Sequence, residues 1–167
     1  MVWKGKGLIE VYLGLGSNIG DRRRFLIDTA TRLRKQLRGV SLSSIYQTKP
    51  WGDDDQPDYL NMCLKGRTSL KPDELLNFLN EVETAAGRTR RRKWGPREID
   101  IDILFYGNKT IKRPGLEIPH RYLAERAFVL IPLAEIAPDF IHPAFQKTVS
   151  QFAEEIDSSE VSLYEKL

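Results

Sequence analysis

Apolar positions along this chain repeat with two periods, and the switches between them mark its elements. Residues 8–15 (Leu-Ile-Glu-Val-Tyr-Leu-Gly-Leu) read as a strand, stopped at Gly16-Ser17-Asn18-Ile19-Gly20. Leu26, Ala30, Leu33 and Leu37 then recur at the helical period, with Gly39 placed to end the helix. Residues 40–48 predict a second strand, 49–57 a loop rich in Pro, Gly and Asp, and 59–68 a third strand antiparallel to the second. Pro72-Asp73-Glu74 opens a second helix, because proline fits the first turn and acids suit the positive end of the helix dipole. Its stripe is Leu75, Leu79, Val82 and Ala86, and Gly87 ends it. A strand over 99–106 follows, and Gly107-Asn108 predicts a short hairpin into Thr110-Ile111. Helices are predicted over 128–137 and 149–156, with Pro132 and Pro138 marking breaks.

The order β-α-β-β-α-β with trailing elements predicts an α+β fold: a ferredoxin-like antiparallel sheet with helices packed on its faces, three layers α/β/α. No repeat, linker or low-complexity segment divides the 167 residues, so one domain over 1–167 is expected, with its core at about 8–143. Hydrophobic content of 41% and charge of 29% are those of an ordinary globular protein, which argues against a fibrous or disordered chain. No apolar run reaches membrane-spanning length, and Met-Val-Trp-Lys-Gly-Lys-Gly lacks the apolar core of a signal peptide. The only cysteine, Cys63, cannot close a disulfide within the chain, and a cytoplasmic location is expected. Net charge is only +3 and much of the basic excess is local, so a bound anion explains it better than a surface coating nucleic acid.

That local excess begins at Arg88. Arg88-Thr89-Arg90-Arg91-Arg92-Lys93 carries five positive charges in six residues and runs through Trp94-Gly95-Pro96-Arg97 toward Asp100 and Asp102. Residues two apart on a strand share a face, so the two carboxylates sit side by side while Ile99, Ile101 and Ile103 bury opposite. Like charges that close need a cation between them, and hard oxygen ligands suit Mg²⁺. Arginine forks bind phosphate bidentately, so the pattern predicts a polyphosphate site. A basic run is more often a localisation tag or nucleic-acid patch, but this one lies mid-domain and leads into paired acids.

Other motifs carry less. Gly14-x-Gly16-x-x-x-Gly20 has neither Rossmann nor Walker spacing and reads first as a tight strand-to-helix turn, with close approach of a flat ligand at Gly16 as the alternative. Tyr59 and Asn61 face the same way on a strand start, where a ring and an amide together suit a flat heterocycle with polar edges. Phe128 is a core aromatic by default and a second stacking face otherwise. His120 lies near Arg121 and Arg126 in sequence, a plausible phosphate neighbour, and His142 reads as structural. With no His-x-x-x-His or Cys-x-x-Cys, a zinc site is not expected.

Taken together, Lys93-x-Gly95-Pro96-Arg97-x-x-Asp100-Ile101-Asp102-Ile103-Leu104 resembles the signature of the 6-hydroxymethyl-7,8-dihydropterin pyrophosphokinase family. Gly16-Ser17-Asn18, Gln56-Pro57-Asp58-Tyr59-Leu60-Asn61, Ile118-Pro119-His120 and Glu125-Arg126-Ala127-Phe128-Val129-Leu130 do so as well, in the family's order. The resemblance implies the ferredoxin-like fold and transfer of diphosphate from ATP to the hydroxymethyl group of a dihydropterin, releasing AMP, in folate biosynthesis. It implies Asp100 and Asp102 as ligands of two Mg²⁺ ions, and Arg88, Arg90 and Arg97 as phosphate-contacting or loop-positioning groups. Glu83, Ile103, His120 and Arg126, with Arg97, fall on the ATP side. Gly16, Thr48, Pro50, Trp51, Tyr59, Asn61 and Phe128 fall on the pterin side, and a monomer acting on small molecules is expected. Loops 49–57 and 88–95 are expected to close over the substrates. Arg121 stands where some members carry tyrosine, Trp51 where a smaller apolar residue occurs, and residues 1–7 and the tail after Pro143 match nothing in the family pattern.

Two other classes compete. A metal-dependent phosphohydrolase or nucleotidyltransferase also uses Asp-x-Asp on such a strand and would consume nucleotide without a pterin. A ferredoxin-like RNA-binding module would use the basic loop and strand aromatics, but paired aspartates would repel a phosphate backbone.

Overall fold

The computed structural model describes residues 7–50, 54–89 and 95–167. Its central strand is β1 (Ile9–Ser17), antiparallel to β4 (Tyr59–Thr68) on one side and β5 (Asp100–Tyr106) on the other. Between β1 and β4 run α1 (Arg22–Gln36), β2 (Arg38–Leu42) and β3 (Ile45–Thr48), and α2 (Pro72–Ala85) connects β4 toward β5. Then come β6 (Ile111–Arg113), β7 (Leu116–Ile118), a 3₁₀ turn over Leu123–Glu125, α3 (Ala127–Ile136), α4 (Val149–Glu155) and β8 (Val161–Glu165). The main sheet has the order β5-β1-β4-β3-β8, with β2 also paired to β4. This is the ferredoxin-like antiparallel sheet with helices on its faces that the pattern predicts.

Two apolar layers hold it. On one face Leu26 and Leu33 of α1 and Leu75 and Leu79 of α2 pack with Leu13, Leu64, Ile101 and Ile103. On the other, Leu130, Leu133 and Phe152 of α3 and α4 pack with Tyr12, Cys63 and Phe105. The β1–β5 register slips between Tyr12 and Leu13, a bulge that turns Leu104 and Phe105 together into the second layer. Ahead of the bulge strict alternation holds: Ile99, Ile101 and Ile103 are buried under α1 and α2, and Asp100 and Asp102 face the opposite way.

Several elements differ from the sequence pattern for identifiable reasons. Helix α1 opens at Asp21, whose carboxylate accepts from the Arg24 N–H at 3.1 Å, and closes at Leu37, whose N–H donates to the Leu33 carbonyl at 2.9 Å. Leu37 is buried, so the chain turns inward before reaching Gly39, which instead sits within β2 at φ +58°. The expected strand over 40–48 is two strands. Ser43 exchanges bonds with Cys63, its N–H to the Cys63 carbonyl (2.9 Å) and its Oγ accepting the Cys63 N–H (2.8 Å), while the Ser44 N–H and Oγ both donate to Glu135 Oε1 at 2.8 Å. The Gly107 turn closes locally, Lys109 N–H to the Tyr106 carbonyl at 3.1 Å, and does not return the chain onto β5. The hairpin is one turn later: β6 pairs with β7 about Pro114-Gly115, Gly115 taking φ +80°.

The tail beyond residue 143 is part of the architecture. It supplies α4, which covers the second layer, and β8, which pairs with β3. Arg23 on α1 holds Glu165 of β8 through two bonds of 2.5 and 2.7 Å. No helix among the described residues is long and apolar enough to cross a membrane.

Candidate active site

Strand register assembles the site. In β1, Gly14 lies opposite Asp102 of β5 and Cys63 of β4, and Gly16 lies opposite Asp100 and Asn61. Residues directly opposite in antiparallel strands share a face. One face of the three strands therefore reads Asp100–Gly16–Asn61 across one row and Asp102–Gly14–Cys63 across the next. No side chain rises between the carboxylates and the amide. The result is a cleft of ≈ 280 Å³ walled by Tyr59, Phe128, Arg97, His120 and Arg126.

The glycines thus act within the strand and not in a strand-to-helix turn, which only Gly20 takes, at φ +70°. Gly16 is the strict one. A Cβ there would stand 2.8 Å from Asn61 Oδ1 and 3.4 Å from the Tyr59 ring, whereas one at Gly14 meets Leu104 at an ordinary 3.5 Å. Asn61 cannot easily yield, because it is buried and its Nδ2 donates to Thr48 Oγ1 at 2.8 Å. That bond also sets the amide so that its oxygen overhangs Gly16. We expect Gly16→Ala to weaken binding of any flat ligand seated on this amide by about tenfold or more, since displacing Asn61 leaves buried polar groups unmatched at roughly 1–3 kcal/mol. Calorimetry with a pterin, giving wild-type affinity for the variant, would refute the contact.

The acidic side is held by ion pairs. Asp100 Oδ1 accepts from Arg97 at 2.9 Å and from Arg88 at 3.2 Å. Glu83, buried on α2, accepts the Ile101 N–H at 2.8 Å through one oxygen and the Arg88 guanidinium through the other. It ties the start of β5 to the helix and aims Arg88 at Asp100. Burial raises the proton affinity of Glu83. Asp102 is raised as well, first by burial and then by the charge of Asp100, against the pull of Arg126 and Arg97. A buried carboxylate beside a second one is a donor whose charged form a hard cation would favour. Among the described residues no group of three His, Cys, Asp or Glu is placed to hold a metal ion, so a Mg²⁺ ion on this pair would need other oxygens to complete its shell.

His120 and Arg126 face the same carboxylates. His120 Nε2 lies 3.9 Å from Asp102 Oδ1, and Arg126 lies 3.9 Å from Asp102 Oδ2. The Tyr122 N–H donates to His120 Nδ1 at 3.2 Å, which leaves the proton of the neutral ring on Nε2. Burial, then Arg126, pushes the His120 pKa down from 6.5 to about 4, so the ring is neutral at pH 7. The sign of the consequence follows: the unfolded chain takes up this proton as pH falls below 6.5, the folded chain only near 4, and stability drops through that window. Urea unfolding of the ligand-free protein at pH 7 and pH 4.5 should show a smaller loss for His120→Gln than for wild type; equal losses would remove the assignment.

Asn18, quoted in the sequence only as part of a motif, ties the two halves of the site together. Its buried side chain accepts the Arg97 N–H at 2.8 Å and donates to Gln56 Oε1 at 3.1 Å and to the Pro57 carbonyl at 3.2 Å, while its own N–H donates to the Arg97 carbonyl at 3.1 Å. Gly-Pro-Arg and Gln-Pro-Asp are thereby held to the end of β1. A polar residue just past a strand end is the only local hint.

Gly16, Thr48, Pro50, Tyr59, Asn61, Phe128, Arg97, Asp100, Asp102, His120 and Arg126 all line the one cleft. Glu83 and Arg88 stand behind Asp100, and the Ile103 side chain is in the core beneath it. Trp51 and Arg90 lie outside the described residues, as do the middles of the two expected covering loops.

Comparison with known sequences decides the lineage. Residues 12–138 match the family described as 7,8-dihydro-6-hydroxymethylpterin-pyrophosphokinase (HPPK). The chain belongs to the HPPK family. The matched span runs from β1 through α3 and includes every cleft residue named above. An Aquifex aeolicus protein named 2-amino-4-hydroxy-6-hydroxymethyldihydropteridine pyrophosphokinase is 46% identical over 148 residues, covering 89% of this chain and 92% of its own. One of the same name from Methylorubrum extorquens is 47% identical over 136 residues, covering 80% and 86%. Among solved structures, a Plasmodium falciparum HPPK-DHPS with pterin and p-hydroxybenzoate has the same fold, with a TM-score of 0.75 at 15% identity over 96% of this chain. This HPPK spans only 47% of that longer chain.

Proposed function

We propose that this HPPK transfers diphosphate from ATP to the hydroxymethyl oxygen of 6-hydroxymethyl-7,8-dihydropterin, releasing AMP, as a step of folate biosynthesis. One observation carries the reading: the Asn61 amide and the Asp100 carboxylate stand in one row on either side of side-chain-free Gly16, with Asp102 in the next row beside Gly14 and guanidiniums converging on the acids. A flat ring fits between Tyr59 and Phe128, with Asn61 reading its polar edge. A triphosphate fits the side lined by Arg97, His120 and Arg126.

Asp100 and Asp102 would hold two Mg²⁺ ions, which would supply positive charge against that developing on the phosphates. The chain's own groups do the rest. Arg97, with its backbone locked by Asn18, presents fixed positive charge to the transferred group, while Arg88, aimed by Glu83, holds Asp100 from behind. His120 donates from Nε2 without adding charge. The pterin hydroxyl needs no dedicated general base: orientation against an in-line phosphorus and charge stabilisation suffice for phosphoryl transfer. The whole of 1–167 acts as one domain, as a monomer, in the cytosol, where Cys63 stays reduced.

Phosphorus NMR of the reaction with ATP, Mg²⁺ and hydroxymethyldihydropterin tests which bond breaks. Attack at the β-phosphorus gives AMP and a pterin diphosphate in equal amounts. ADP with a pterin monophosphate would overturn the mechanism, and nucleotide consumption without any pterin product would favour a phosphohydrolase.

A further inference from the structure

The ATP side of the cleft holds its cations around an aromatic ring. The Arg126 guanidinium lies 5.1 Å from the centre of the Tyr122 ring, and that of Arg121 lies 5.4 Å from the same ring. The His120 ring is 6.1 Å away, centroid to centroid, and the Tyr122 N–H fixes its tautomer. Arg126 also lies 5.4 Å from the centre of Phe128, so its guanidinium contacts two rings. Arg121 is half exposed at the cleft mouth, with Glu117 at 3.4 Å as its acidic partner. Residue 122 belongs to neither the Pro-His motif before it nor the Glu-Arg-Ala-Phe motif after it.

We propose that Tyr122 is a positioning residue for nucleotide binding, its ring holding Arg121 and Arg126 as a pair directed at the triphosphate. The inference rests on the proposed use of ATP. Two guanidiniums drawn toward one phosphate site repel each other and need an anchor. Each already has one carboxylate neighbour, Glu117 for Arg121 and Asp102 for Arg126, and a further carboxylate shared between them would cancel their charge and compete with phosphate for their N–H groups. The face of an aromatic ring attracts a guanidinium through its quadrupole, leaves the net charge intact and does not itself compete with an incoming anion for the N–H groups. Arg126 illustrates the division of labour: its charge meets Asp102 at 3.9 Å, and its flat surface meets Tyr122 and Phe128. When phosphate draws on the fork, the stacking need not break. The attraction of a guanidinium to a ring comes from the ring face, so phenylalanine should replace tyrosine and an aliphatic residue of similar bulk should not.

The test compares Tyr122→Phe, Tyr122→Leu and Tyr122→Met. Calorimetry with a non-hydrolysable ATP analogue and Mg²⁺ should show roughly 5- to 20-fold weaker binding for the Leu and Met variants, with Phe within about twofold of wild type. Steady-state kinetics should show KM for ATP rising in parallel while kcat and pterin affinity stay within about twofold. Nitrogen–proton NMR of the arginine Nε groups supplies a readout independent of turnover: the ring-current shift of Arg121 should persist in Phe and vanish in Leu, and that of Arg126 should fall in Leu to the part that Phe128 supplies. Wild-type analogue affinity in the Leu and Met variants, or equal losses in Phe and Leu, would overturn the role of the ring. A wild-type protein that binds no ATP analogue at all would instead sink the proposed reaction, which keeps the two failures apart.

Discussion

Asp100→Asn and Asp102→Asn are each expected to lower kcat by at least about 10³-fold without unfolding the protein, because the lost ligand removes metal-borne charge stabilisation worth several kcal/mol. Both side chains face the cleft from a strand whose other face is built of Ile99, Ile101 and Ile103, so packing is untouched. The ligand-free protein should respond in the opposite direction to activity for Asp102. Its proton affinity in the fold is raised above the ordinary 3.8, so the ligand-free fold loses stability as pH rises from 3.8 through that raised value. Asparagine removes the titration. The melting temperature of ligand-free Asp102→Asn should therefore exceed that of wild type at pH 8, and the gap should close at pH 4. Mg²⁺ with an ATP analogue should raise the melting temperature of wild type far more than that of the variant. Activity near wild type in either asparagine variant at ordinary Mg²⁺ would dismiss the metal seat.

Asn18→Ala is expected to destabilise the fold by about 2–4 kcal/mol and to weaken both substrates, an unusual pairing for a residue that touches neither. Alanine keeps the backbone bond to the Arg97 carbonyl but abandons the Arg97 N–H, the Gln56 amide oxygen and the Pro57 carbonyl. Buried groups stripped of a partner cost roughly 1–3 kcal/mol each, less where water reaches them. Arg97 then loses its backbone reference beside Asp100, and the segment entering Tyr59 loses its tether. Asn18→Asp separates the two sides, since it keeps the acceptor for Arg97 and drops the donor toward Gln56 and Pro57. The expected result is that the aspartate variant retains more affinity for the nucleotide than for the pterin. A urea midpoint for Asn18→Ala equal to that of wild type would contradict the clamp.

How much of this was legible in the chain depends on the range of the interaction. The stripes of α1 and α2 and the split of Ile99, Ile101 and Ile103 from Asp100 and Asp102 are local periodicities, and they read through directly. The division of the second strand was hidden because Glu135, far along the chain, bonds to Ser44. Strand β8 is short and mostly exposed, and it owes its place to β3 and to Arg23. The motif residues of the cleft were visible as residues, but their relation was not. Gly14 and Gly16 look like a turn until the register sets Asp100 and Asn61 on either flank. Asn18 and Tyr122 act through bonds and stacking with no sequence period at all.

The bare position at Gly16 has an evolutionary corollary. Hydrogen is the smallest side chain available, so substitution there can only subtract space. A relative of this enzyme that came to accept a bulkier heterocycle would have to change wall residues such as Tyr59, Asn61 or Phe128 instead, the residues proposed above to recognise the ring. Tolerance for larger rings is therefore bought with selectivity, and inhibitors that fill the cleft down to the Gly16 backbone meet a surface from which resistance has little room to retreat.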